Sequence, residues 1–86
     1  MTLVAGLDQG TSSTRCVVLD EELTERGSAS VPVECSFPGP GRVEQDPEAL
    51  LASALEAIER AGAREVAALG IANQTETFVV WDRATG

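Results

Sequence analysis

Two short apolar runs stand on either side of a polar turn at the start of the chain, and this pattern constrains the fold more than any other feature. Residues 3–8, Leu-Val-Ala-Gly-Leu-Asp, form the first run, and residues 14–20, Thr-Arg-Cys-Val-Val-Leu-Asp, form the second. Between them lie Gln9, Gly10, Thr11, Ser12 and Ser13. The apolar pattern resumes directly after the turn, which predicts a β-hairpin rather than a strand leading into a helix. Gly10 leaves no Cβ in the way of a sharp turn. Thr11, Ser12 and Ser13 offer hydroxyls and successive backbone N–H groups to one point, an arrangement that suits a phosphate. Asp8 stands where a divalent metal shared with that phosphate could be held, directly or through water. Arg15 adds a positive charge. A Gly-Thr-Ser-Ser tip by itself is an ordinary polar turn; the acid before the glycine and the cation after it favour a ligand.

The commoner nucleotide patterns are absent. A P-loop needs G-x-x-x-x-G-K-[ST] and a dinucleotide fold needs G-x-G-x-x-G, each opening a helix, and neither occurs here. Further along, residues 24–33 read as a third, weaker strand, placed near a sheet edge because Pro32 cannot donate to a ladder. Three consecutive strands with short turns suggest an antiparallel meander. Residues 36–45 are a loop by their Pro and Gly content. A helix then opens with Asp46 as N-cap, Pro47 in the first position and Glu48 in the first turn, and Gly62 ends it. Leu51, Ala54, Leu55, Ile58 and Ala61 make one apolar face at helical spacing, and Glu56 can pair with Arg60 outside. Residues 65–72 read as a fourth strand, apolar on both faces and so expected to be central and covered on both sides. Phe78, Val79, Val80 and Trp81 read as a fifth strand, with Trp81 in the core. Residues 82–86 read as a turn.

Composition narrows the function classes. With 86 residues there is room for one small domain at most, and a chain this short buries a limited core. The 14 acids against 6 bases give a net charge of −8, which argues against general nucleic-acid or anionic-membrane binding. No apolar run approaches a membrane-spanning length, and the first residues lack the basic and apolar regions of a secretory signal. Cys16 and Cys35 are expected to stay reduced thiols in a cytoplasmic protein. The chain has no His, so it cannot build a Ser–His or Cys–His pair alone.

Three segments together carry a family resemblance. Residues 6–15 (GLDQGTSSTR), 42–48 (RVEQDPE) and 70–82 (GIANQTETFVVWD) resemble the amino terminus of the FGGY carbohydrate kinases, glycerol-kinase branch. The first segment alone would be shared across actin-like ATPases, including chaperone and filament proteins, and the last narrows it to the kinases. The resemblance implies a ribonuclease-H-like α/β fold of the actin-like ATPase type: a three-strand meander, a helix, then a strand beside the first. It implies that residues 1–86 are an N-terminal, incomplete portion of the first kinase domain. It also implies phosphoryl transfer from ATP, with Mg²⁺, to a hydroxyl of a polyol or sugar. Asp8 would then lie at the metal–phosphate site, with Thr11, Ser12, Ser13 and Arg15 facing the nucleotide and Glu76 binding substrate hydroxyls. Thr75 stands where glycerol kinases carry an Arg that binds glycerol. A Thr offers one short hydroxyl in place of that charged fork, so a longer polyol or a sugar is the expected acceptor. The family's catalytic base and adenine site are expected beyond residue 86. The other reading is a non-catalytic fragment that self-associates through the apolar faces it exposes, and a homo-oligomer is expected.

Overall fold

The computed structural model describes residues 1–74 and 78–86. The chain opens with β1 (Leu3–Gln9), β2 (Ser13–Asp20) and β3 (Glu25–Pro32). Helix α1 (Pro47–Ala61), a 3₁₀ turn (Ala63–Glu65) and β4 (Ala68–Ala72) follow. The sheet runs in the order β3-β2-β1-β4. The meander is antiparallel, pairing Leu7 with Cys16 and Cys16 with Ala29, and β4 lies parallel to β1, pairing Gly6 with Gly70. This is the α/β arrangement expected from the sequence, with β3 at an edge.

Alternation sets the core. Ala5 and Leu7 of β1, Cys16 and Val18 of β2 and Val31 of β3 are buried on the side that meets Ala57, Ala61 and Ala63. Val18 is 2% exposed, and a valine buried to that degree contributes about 1.5–3 kcal/mol. Cys16 and Cys35 are free thiols. Burial pushes the Cys16 thiol above its ordinary range, which leaves it a packing group rather than a nucleophile.

Helix α1 starts and stops where its punctuation says. Asp46 accepts the Glu48 N–H at 3.0 Å. Gly62, at φ 77°, donates its N–H to the carbonyls of Glu59 and Ile58. Its inward face matches the expected one in part, with Ala61 buried and Ala54 and Ile58 packed against the core. Ser53, Ala57 and Ala61 are buried, whereas Leu51 and Leu55 are 60% and 58% exposed. The cause is close approach: a Cβ on Gly27 would overlap the Ala61 carbonyl oxygen, so the helix rests on the sheet through its smallest side chains. No Glu56–Arg60 ion pair forms among the described residues.

Two further expectations are corrected. Strand β4 is an edge strand, exposed throughout, instead of central and covered. Its register places Leu69 and Ile71 on the helix side with Ala5 and Leu7, but α1 packs mainly on β2 and β3 and stops short of β4. Phe78, Val79, Val80 and Trp81 form no strand, and Trp81 is 69% exposed instead of in the core. A strand requires a partner ladder, and none of the described residues supplies one. Residues 82–86 do form a turn, closed by Gly86 N–H donating to the Asp82 carbonyl at 2.8 Å. Among the described residues no helix is long and apolar enough to cross a membrane.

Candidate functional site

The hairpin tip between β1 and β2 has an ordered arrangement of backbone dipoles. Gly10 N–H donates to the Ser13 carbonyl at 2.9 Å and closes the turn. Gly10 does not adopt a positive φ; a Cβ there would sit 3.3 Å from the Ser13 oxygen, a tight contact that the turn would have to ease by a few tenths of an ångström. All four carbonyls of residues 10–13 accept a hydrogen bond from within the protein. Gly10 O accepts from Gln74 Nε2 at 3.3 Å and Thr11 O from Gln45 Nε2 at 2.8 Å. Ser12 O accepts from the Val33 N–H at 3.0 Å, and Ser13 O from Gly10. In a trans peptide the N–H points opposite to the preceding carbonyl. The inward carbonyls of Gly10 and Thr11 therefore turn the N–H groups of Thr11 and Ser12 outward. Among the described residues those two donors have no partner, and both residues are exposed. The tip presents donors and hydroxyls to solvent, which is the polarity an anion needs.

The base of the hairpin is fastened to the helix. Gln9 Nε2 donates to the Leu50 carbonyl at 2.8 Å and to Thr14 Oγ1 at 3.3 Å. Thr14, fully buried, shares a 2.7 Å hydrogen bond with Ser53 Oγ, which also donates to the Leu50 carbonyl. Every buried side-chain oxygen and nitrogen among the described residues is satisfied, so this polar seam adds rigidity without the penalty of an orphaned group.

Asp8 and Arg15 are cross-strand partners in the register of β1 and β2. Both are exposed and lie on the sheet face away from α1. Arg15 makes a loose ion pair with Glu25, 3.9 Å apart, worth little at such exposure. Beside them Gly6 and Gly70, paired across β1 and β4, have no neighbouring atom within 4 Å of where a side chain would start. They form the floor of a shallow open depression walled by Asp8, Arg15, Val17 and Ala72. No group of three or more His, Cys, Asp or Glu residues placed to hold a metal occurs among the described residues. Asp8 and Glu25 both line the depression, Glu25 facing Arg15, and a hard cation held by Asp8 would draw its other oxygens from phosphate and water.

The structure thus brings Asp8, Thr11, Ser12, Ser13 and Arg15 to one end of one hairpin. Thr75 and Glu76 lie outside the described residues. Glu44 is an exposed loop acid paired with Arg42. Sequence reasoning assigned no role to Gln9, Gln45 and Gln74, which fasten the loop. A signal existed, since each glutamine borders a structural boundary: the turn, the helix cap and the exit of β4.

A family model described as the N-terminal domain of the FGGY family of carbohydrate kinases matches residues 3–86. The chain belongs to the FGGY family of carbohydrate kinases. Among curated FGGY relatives, the glycerol kinase of Trichlorobacter lovleyi is 50% identical over 92 residues, an alignment covering 100% of this chain and 18% of that protein. The glycerol kinase of Nocardia farcinica is 48% identical over 90 residues, covering 96% of this chain and 18% of that protein. The crystal structure of Plasmodium falciparum glycerol kinase with ADP superposes with a TM-score of 0.78 at 30% identity, covering 99% of this chain and 18% of that one. The fold is that of the N-terminal domain of sugar kinases, an actin-like ATPase fold. The chain spans 18% of the length of the curated relatives it matches.

Proposed function

We propose that this chain is the phosphate-handling front of an ATP-dependent kinase that phosphorylates a hydroxyl of a polyol or sugar, residues 1–86 being an N-terminal portion of its first domain. The observation that carries the reading is the tip itself. Its four carbonyls are satisfied within the protein, and among the described residues its Thr11 and Ser12 N–H groups have no partner and can face a phosphate, in a chain of FGGY membership. Thr11, Ser12 and Ser13 would cradle the nucleotide phosphates, and Arg15 would exchange Glu25 for a phosphate oxygen. Asp8 would hold Mg²⁺ directly or through water, and the cation would supply charge neutralisation at the transferring phosphoryl group. Thr75 and Glu76 would belong to the acceptor wall. The short, uncharged Thr75 favours an acceptor longer than glycerol, with Glu76 accepting hydrogen bonds from its hydroxyls.

The test is phosphoryl transfer from ATP and Mg²⁺ by the protein as its own gene produces it, against glycerol, four- and five-carbon polyols and ketoses. Turnover with a longer acceptor is the expected result. A clear preference for glycerol removes the Thr75 argument, and no transfer to any acceptor removes the kinase reading. Asp8→Asn keeps the shape and loses the charge; kcat is expected to fall by about 10²–10³-fold, the scale for removing one electrostatic contact to a transition state. Unchanged turnover in that variant overturns the metal–phosphate role of Asp8.

A second reading has its own observation. Ile71 on the edge strand β4, together with Phe78, Val80 and Trp81 further along the chain, is 69–84% exposed. The 86-residue chain by itself would be an inactive fragment that buries this surface against a second copy.

A further inference from the structure

We infer that Gln45 and Gln74 are positioning residues: a two-amide latch that sets the polarity of the phosphate loop and ties it to the segment leading into the acceptor wall. Gln74 Nε2 donates both to the Gly10 carbonyl, at 3.3 Å, and to Gln45 Oε1, at 2.8 Å. Gln45 Nε2 then donates to the Thr11 carbonyl at 2.8 Å. The relay has one consistent direction. Reversing the Gln45 amide would set its oxygen against the Thr11 oxygen and its NH₂ against the Gln74 NH₂, two repulsive contacts in place of two bonds. An amide suits such a relay, since it donates from one branch and accepts on the other without carrying charge. A carboxylate at either position would accept only, and it would place negative charge beside a loop that must receive phosphate.

Distance in the chain gives the latch its meaning. It links the turn after β1, the residue before the cap of α1 and the second residue beyond β4. Gln74 immediately precedes Thr75 and Glu76. Displacement on one side therefore reaches the other through two side chains. This step rests on the kinase reading for its catalytic consequence, but the latch itself can be tested without catalysis.

The experiment compares the unaltered chain with Gln74→Glu and Gln45→Glu, both of nearly unchanged shape. Hydrogen exchange of the Gly10 and Val33 amides, whose N–H groups bond Ser13 and Ser12, reports the order of the tip. Each variant is expected to speed exchange at these two amides at least tenfold and leave the β2–β3 amides at Cys16 and Ala29 unchanged, and the double variant should add little to either single one. Unchanged exchange at Gly10 and Val33 overturns the latch, as does a loss of protection spread evenly over the sheet. In the phosphoryl-transfer assay, Gln74→Glu is expected to raise KM for ATP and for the acceptor together, at least fivefold each. A rise in one alone overturns the coupling. If the unaltered protein transfers no phosphoryl group, the kinase reading fails, and the exchange measurement still decides the latch.

Discussion

Asp20 ends β2 by holding the next turn together through its carboxylate. One oxygen accepts the N–H groups of Glu22 and Thr24 at 2.9 and 3.0 Å, and the other accepts Arg26 Nε at 2.8 Å. The backbone bond from Thr24, then the Arg26 contact and the Glu22 bond, hold this carboxyl below its ordinary range despite the opposing effect of burial. The sign follows from linkage: a carboxyl whose pKa is lower in the folded state binds fewer protons there than in the unfolded state. Its stabilisation is complete above the unfolded value of about 3.9 and is lost as pH falls through the lowered folded value. Urea midpoints should therefore drop between pH 5 and pH 2 in the unaltered chain, and Asp20→Asn should flatten that decline. Equal pH dependence in the two chains would remove Asp20 as its source. The role of Asp20 was not legible in the sequence, where the residue is simply the last of the second run, because its value comes from three donors the following turn folds back onto it. Asp8 and Arg15 were legible as the acid and the cation flanking the turn, and the hairpin register sets them side by side.

At the scale of elements, sequence pattern gives existence better than orientation. The period of two in β1 and β2 and the Asp-Pro-Glu start of α1 are local signals, and they place those elements correctly. Which side of α1 faces inward is decided elsewhere, by how closely the helix can approach Gly27, and small side chains win over the larger Leu51 and Leu55. Ala57→Leu should consequently cost about 1–3 kcal/mol by overpacking. Leu55→Gln should stay within about 0.5 kcal/mol, as at an ordinary surface site. Denaturant titration of both variants checks the assignment, and the opposite ranking would restore the leucine face. The two apolar segments near the end were misplaced for a related reason. Apolar residues in β4 and at 78–81 announce burial, but burial needs a cover, and among the described residues none lies over them.

For the whole molecule, exposed apolar surface on one side of the sheet and beyond β4 predicts behaviour in solution. Sedimentation of the 86-residue chain should show a dimer or larger species at micromolar concentration, and Trp81→Lys with Ile71→Lys should shift it toward monomer. A monomer across that range would discard self-association as a property of this chain. The candidate site is legible at the same scale only in part, since the tip announces itself in five consecutive residues while its bracing is scattered over the rest. That scatter has a consequence for when the loop takes shape. The donors to the Ser12, Thr11 and Gly10 carbonyls come from Val33, Gln45 and Gln74 in turn. Contacts between residues so far apart in sequence must each close a long loop before they stabilise anything. A chain growing from its amino terminus therefore makes the hairpin tip first and completes its bracing last, one carbonyl at a time. The anion-binding corner should be among the final parts of this fold to become rigid, however early its residues were made.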